Sequence, residues 1–194
     1  MACLKVVMFA FLLFFPIKAF GNDPRTEARW NVGFVASLHK QMRLGKHQKS
    51  GAELLLFHIQ FSTRLHDFQK SPFSKLDLVL VGTVGQSLHP KKNGIYGFEE
   101  LARFYLKPKK QIEPFFEAGA GVNEFHLKIP ELGSTFEFSL QAGGGIKYHL
   151  KNHQNFAYIA GYKITHYSNS GVVRPNQGIN LSTVFVGITF TPKK

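Results

Sequence analysis

Residues 155–165, NFAYIAGYKIT, place Phe156, Tyr158, Ala160, Tyr162 and Ile164 on one parity and Asn155, Ala157, Gly161, Lys163 and Thr165 on the other. Successive side chains of a strand point to opposite faces. The stretch therefore reads as a strand with one aromatic and aliphatic face and one small or polar face. The stretch before it, STFEFSLQAGGGIKYHL at 134–150, repeats the pattern. Phe136, Phe138, Leu140, Ala142, Ile146, Tyr148 and Leu150 oppose Glu137, Ser139, Gln141, Lys147 and His149.

The same period of two extends along the rest of the chain. Trp30, Val32, Phe34, Ala36 and Leu38 form one alternating set, and Leu55, Phe57, Ile59 and Phe61 form another, with Asn31, Ser37, His58 and Gln60 on the opposite parity. Strands are further expected over 75–86, 95–106, 112–126 and 180–190, which with 134–150 and 155–169 makes eight. In the last strand Val184, Val186, Ile188 and Phe190 oppose Thr183, Gly187 and Thr189, with Phe185 as an exception. The segments between strands are rich in Gly, Pro, Asn and Ser, as turns require. No linker, repeat or composition break marks a second domain.

Long strands with an apolar face, aromatics near their ends, and a polar, glycine-rich second face suit a transmembrane barrel, where lipid contacts the outside and a narrow interior holds small or polar groups. The expected fold is an all-β, eight-stranded, antiparallel, up-and-down transmembrane β-barrel. A soluble lipocalin-like barrel or sandwich is the alternative, its polar face turned to water. The glycines of AGAG and AGGGI fit a crowded barrel interior, and no helix follows them to build a phosphate loop.

Residues 1–21 carry Lys5, an apolar run from Val6 to Pro16 and small residues at Ala19 and Gly21. That is the pattern of a signal peptide, cleaved near Gly21; the run is shorter than the roughly 20 residues a membrane helix needs. Residues 22–194 then form the barrel domain. Cleavage removes the only cysteine, Cys3, and with it any disulfide or thiol chemistry. The formal charge is +12; without Lys5 and Lys18, 22 basic side chains stand against 12 acidic ones, or +10. Such a surplus favours an anionic partner. In an exported chain that points to membrane phosphates rather than nucleic acid.

One sequence feature suggests chemistry. In Thr165-His166-Tyr167-Ser168-Asn169, His166 and Ser168 share the parity of the apolar face. Imidazole beside a hydroxyl is the minimal kit for nucleophilic ester cleavage, with His as base and Ser as nucleophile. Two residues of strand separate their Cα atoms by about 6.5 Å, which side chains can bridge. On its own, His-x-Ser is more simply two polar residues near a headgroup boundary. His39, His47, His89 and His153 fall in polar segments and read as solvated, and the histidines form no metal-like cluster with carboxylates. No cofactor or metal is expected.

HYSNSG followed by RPNQGIN, at 166–180, resembles the outer-membrane lipid A 3-O-deacylase (PagL) family, in which a His-x-Ser-Asn run closes the penultimate strand and a Pro-Asn-x-Gly loop leads into the last. PFFEAGAGVNEF (114–125), STFEFSLQAGGGIKYHL (134–150) and YIAGYKITHYSNSG (158–171) are similar to successive strands of that family, while 22–110 match only in alternating strands and loops. The resemblance implies an eight-stranded outer-membrane barrel that removes the 3-position acyl chain of lipid A without a metal. It implies Ser168 as nucleophile, His166 as base, and an oxyanion hole from the Gly171 N–H and the Asn176 side-chain amide.

The chain departs from the family at one position. Its characterised enzymes carry a glutamate twelve residues after the serine, where this chain has Asn180, and no Asp or Glu follows Glu137. Asn180 shares the parity of His166. It can orient the imidazole but supplies no negative charge. Three readings therefore stay open: a lipid A deacylase with His166, Ser168 and Asn180 as its catalytic set, a silent barrel binding lipopolysaccharide, and a related phospholipid esterase.

The basic loops bear on the partner. An up-and-down barrel starting in the periplasm puts 39–51, 87–94, 127–133 and 170–179 outside, carrying Lys40, Arg43, Lys46, His47, Lys49, His89, Lys91, Lys92 and Arg174. Lipopolysaccharide phosphates lie at that height, so these cations are candidates to hold lipid A in the outer membrane. A generally basic surface is the plainer alternative, and KPKKQ falls on the other side. The oligomeric state is left open, a homodimer among the options.

Overall fold

The computed structural model describes residues 30–42, 51–126, 129, 131–153 and 155–192. The expected signal peptide at 1–21 lies outside the described residues, as do Arg43, Lys46, His47 and Lys49. Eight strands form one closed antiparallel barrel in sequence order: β1 Trp30–Gln41, β2 Glu53–Asp67, β3 Phe73–His89, β4 Gly94–Leu106, β5 Ile112–Phe125, β6 Phe136–His149, β7 Phe156–Ser168 and β8 Ile179–Phe190. Closure through β1 and β8 leaves no unpaired edge, the condition for a sheet to cross a bilayer. Three of the four connections at one end, 42–52, 126–135 and 169–178, are longer than 68–72, 107–111 and 150–155 at the other, while the fourth, 90–93, is a short turn. Outer-membrane barrels carry their longer loops outside the cell, so the first end is the extracellular one.

The outer wall is the apolar parity read from the sequence: Phe34, Phe57, Phe116, Leu140, Tyr158 and Val184 are each more than half exposed. The register sets how the strands tilt. From His166 the row of paired residues runs through Leu140, Ala120, Glu100, Leu80, Phe61, Val32 and Phe190 and returns to β7 at Phe156. The offset is 166 − 156 = 10 residues around eight strands, and a stagger of that kind obliges the strands to lean against the barrel axis.

The interior is filled. At the extracellular end Leu54, Leu56, Ile95, Phe125, Tyr167 and Leu181 pack with Ile129 and Leu132, which the β5–β6 loop folds into the mouth. This apolar plug departs from the expected polar lumen. Below it a chain of polar groups runs along the inner wall over the adjacent strands β3, β2, β1 and β8: Thr83 Oγ1 lies 2.8 Å from His58 Nδ1, His58 Nε2 2.6 Å from Ser37 Oγ, Ser37 Oγ 2.8 Å from His39 Nε2, and His39 Nδ1 2.7 Å from Thr183 Oγ1. His39 is thus buried inside β1 rather than solvated in a loop, because β1 continues to Gln41. Lower still, Arg103 meets Glu117 at 2.7 Å and donates to Gln60 at 3.2 Å.

Phe185, the exception to the parity rule, points inward over Gly161, and its ring lies 6.4 Å from that of Phe115, which packs on Gly145. A side chain at either glycine would collide with these rings. The glycines therefore make room for two aromatics in a narrow interior.

Candidate active site

The candidate residues gather where β7 ends and β8 begins, at the extracellular rim and on the outer wall. His166 and Asn180 are direct partners in the β7–β8 ladder. His166 Nδ1 stands 2.9 Å from Asn180 Oδ1. An amide oxygen only accepts, so the Nδ1 hydrogen makes this bond and Nε2 keeps its lone pair. Gly178 abuts the other edge of the ring: a Cβ there would come within 2.6 Å of His166 Cε1 and 3.1 Å of Nε2. Its φ of +65° is a second reason for glycine.

Ser168, the last residue of β7, is half-buried and on the same outward parity as His166, opposite Phe138 of β6. Glu137, the last acidic residue in the chain, faces the interior, fully buried, and accepts a bond from Ser134 Oγ at 2.7 Å. It is not placed to serve His166. Below His166 the wall has a shallow, open depression between β5, β6 and β7. Ala118, Ala120 and Ala142 form its floor, and Leu140 and Ile164 its sides. Small residues on the outward parity leave a trough where larger ones would give a smooth wall.

The β7–β8 loop is organised by Asn169, to which the sequence reading gave no role. Its Nδ2 donates to Leu132 O at 2.6 Å and Val173 O at 2.9 Å, and its Oδ1 accepts from Gly171 N at 3.0 Å. Its backbone N–H donates to Asn176 Oδ1 at 3.1 Å. Two consequences follow for the expected oxyanion donors. Asn176 presents the NH₂ end of its amide away from that bond, as a donor must. The Gly171 N–H already has an acceptor in Asn169 Oδ1, so an incoming oxyanion must share or displace it.

The β5–β6 loop supports this arrangement. Gln177 N donates to Glu131 O at 2.9 Å, and Gly133, at φ +72°, lies so close to Pro175 O that a Cβ would overlap it. The two loops are interlocked, which a sequence read one strand at a time does not reveal. The conspicuous signals were the asparagine of HYSN and the glycine of PNQG. Among the described residues no group of His, Cys, Asp and Glu could hold a metal ion.

Comparison with known proteins gives a consistent result. Residues 57–189 match the family model for lipid A 3-O-deacylase (PagL). Lipid A deacylase PagL of Pseudomonas aeruginosa is 38% identical over 80 residues, covering 40% of this chain and 43% of that protein. The alignment thus spans less than half of the relative's length. The crystal structure of the outer membrane enzyme PagL superposes with a TM-score of 0.61 at 20% identity, covering 80% of this chain and 97% of that one. Neisserial surface protein A gives the same TM-score at 17% identity, over 84% and 97%. Equal scores for these two structures mean that the barrel alone does not select an activity.

Proposed function

The chain belongs to the lipid A 3-O-deacylase (PagL) family, and on that premise we propose that this outer-membrane barrel hydrolyses the ester-linked 3-position acyl chain of lipid A. The observation that carries the reading is the His166–Asn180 hydrogen bond at 2.9 Å, formed on the outer wall above a small-residue trough. It holds an imidazole in the tautomer of a general base at headgroup height, where a lipid ester would lie.

In this mechanism His166 Nε2 takes the proton as Ser168 Oγ bonds to the ester carbonyl carbon. The Asn176 amide and the Gly171 N–H stabilise the oxyanion. Collapse of the tetrahedral intermediate breaks the bond to the sugar oxygen, which leaves with the proton from His166. Water, deprotonated by the same imidazole, then attacks the acyl-Ser168 ester and releases the fatty acid. The acyl chain lies in the trough floored by Ala118, Ala120 and Ala142. Asn180 orients His166 throughout.

Incubating the refolded barrel with lipopolysaccharide in detergent and weighing the lipid A by mass spectrometry tests this. Loss of one acyl chain with the wild type, and none with Ser168→Ala, is expected. Intact lipid A with both proteins, at equal folded fraction, would overturn it. That outcome would favour a silent lipopolysaccharide-binding barrel, the reading that the neutral Asn180 also suits.

A further inference from the structure

The tilt of the strands brings one outward-facing cation level with the site. Along its row, His166 pairs with Asn180, and Met42 N, just past the end of β1, donates to Asn180 O at 2.8 Å. Toward β8 and β1 the row climbs, because in the opposite direction it descends to Phe156 near the periplasmic end of β7. An offset of ten residues over eight strands means that constant height is kept by stepping back about 1.25 residues per strand. From Met42, two strands from β7, that step leads to residue 39 or 40. Lys40 is the one of these that faces outward; His39 is buried.

Lys40 is therefore at the height of His166 and, from strand spacing and tilt, about 12 Å round the wall from it. Its side chain is 76% exposed, its ammonium lies 3.2 Å from Glu53 Oε1, and its carbonyl accepts a bond from Ser182 Oγ. Asn180, Ser182 and Lys40 make a polar strip across β8 and β1, whereas on the other side of the site Phe138, Val122 and Tyr96 occupy the level positions of β6, β5 and β4. Lys91 and Lys92 sit on the turn between β3 and β4, three to four strands from β7 in a closed barrel of eight. That is the far wall, so the phosphate-holding role expected of them does not suit this site.

We propose that Lys40 binds a phosphate of the substrate headgroup and fixes which way the sugar lies across β8 while its ester meets Ser168. The inference rests on the lipid A reading of the site. A phosphate competes with Glu53 for the ammonium, and Glu53 keeps the lysine neutralised on a lipid-facing wall until substrate arrives.

The test measures binding in a Ser168→Ala background, where substrate stays intact, using detergent-dispersed lipid A with its phosphates and the same lipid A after phosphate removal. Lys40→Met should weaken binding of the phosphorylated form about fivefold and leave that of the dephosphorylated form unchanged. Lys40→Arg should restore it, Glu53→Gln should tighten it, and neutralising Lys91 and Lys92 together should have no effect. An equal loss on both lipids, or no loss on either, overturns the proposal. So does displacement of lipid A from the wild-type wall, but not from Lys40→Met, by excess phosphatidylglycerol, since Lys40 would then be a general anionic-lipid contact. Because binding is read without turnover, this result is independent of whether the wild type deacylates lipid A. Loss of hydrolysis alone bears on the proposed function.

Discussion

His166 and Asn180 face each other directly across the β7–β8 ladder, with Nδ1 of one 2.9 Å from Oδ1 of the other. The bond is neutral, so in the proposed mechanism it would orient the imidazole without stabilising the imidazolium formed as Ser168 loses its proton. Asn180→Glu supplies the charge at the same register position. It is expected to raise kcat about tenfold, the difference between a charge-assisted bond and a neutral one, and Asn180→Ala to lower it. Initial rates of fatty-acid release check both. A fall with glutamate would mean that the site has been rebuilt around the amide.

Gly178 and Gly171 separate backbone strain from displacement of the ring. Both have positive φ, +65° and +81°, so alanine at either costs about 1–3 kcal/mol of conformational strain. Only at Gly178 does the new Cβ meet the imidazole; at Gly171 nothing lies within 4 Å. Gly178→Ala should therefore lower kcat at least tenfold beyond Gly171→Ala and, because its Cβ also meets Tyr167 O at 3.1 Å, cost more stability. Paired kinetics and urea melts in detergent distinguish the two.

Asn169 ties the β7–β8 loop to the β5–β6 loop through Leu132 O and positions Gly171 and Asn176. Asn169→Ala should release residues 171–178 to faster amide exchange and cut kcat more than it changes KM. Hydrogen-exchange mass spectrometry on the folded barrel, beside the rate assay, tests the link. Unchanged exchange would show that the loop holds without this residue.

Arg103 and Glu117 form an ion pair in the barrel interior, both almost wholly buried. Removing one partner strands the other's charge, a cost of about 3–5 kcal/mol. Arg103→Met should destabilise the barrel by that order. The double change Arg103→Met, Glu117→Leu should recover most of the loss. Denaturant titration in detergent measures both.

The period of two made the strands legible, because in a barrel every strand has one lipid face and one interior face and the contrast repeats without interruption. Phe185 broke the rule for a reason written on another strand, in Gly161 of β7. His39 looked solvated because it stands next to Lys40 at the start of a polar run, yet the ladder with β8 continues to Gln41 and carries the imidazole inside. Interlocking of Gly133 with Pro175 joins residues far apart in the chain. The level of Lys40 depends on the stagger of the closed sheet, a property of all eight strands together. His166, Ser168 and Asn180 could be selected from their order in the chain, but the hydrogen bond between two of them required the register.

The position of His166 and Asn180 on the outside of the wall also determines how substrate reaches them. On the proposed function a lipid would arrive by diffusing sideways within its own leaflet, so the encounter would take place in two dimensions. The concentration that governs the rate is the fraction of that leaflet, or of a micelle surface, made up of the substrate. Adding inert detergent at constant total lipid should slow the reaction by dilution of the surface alone.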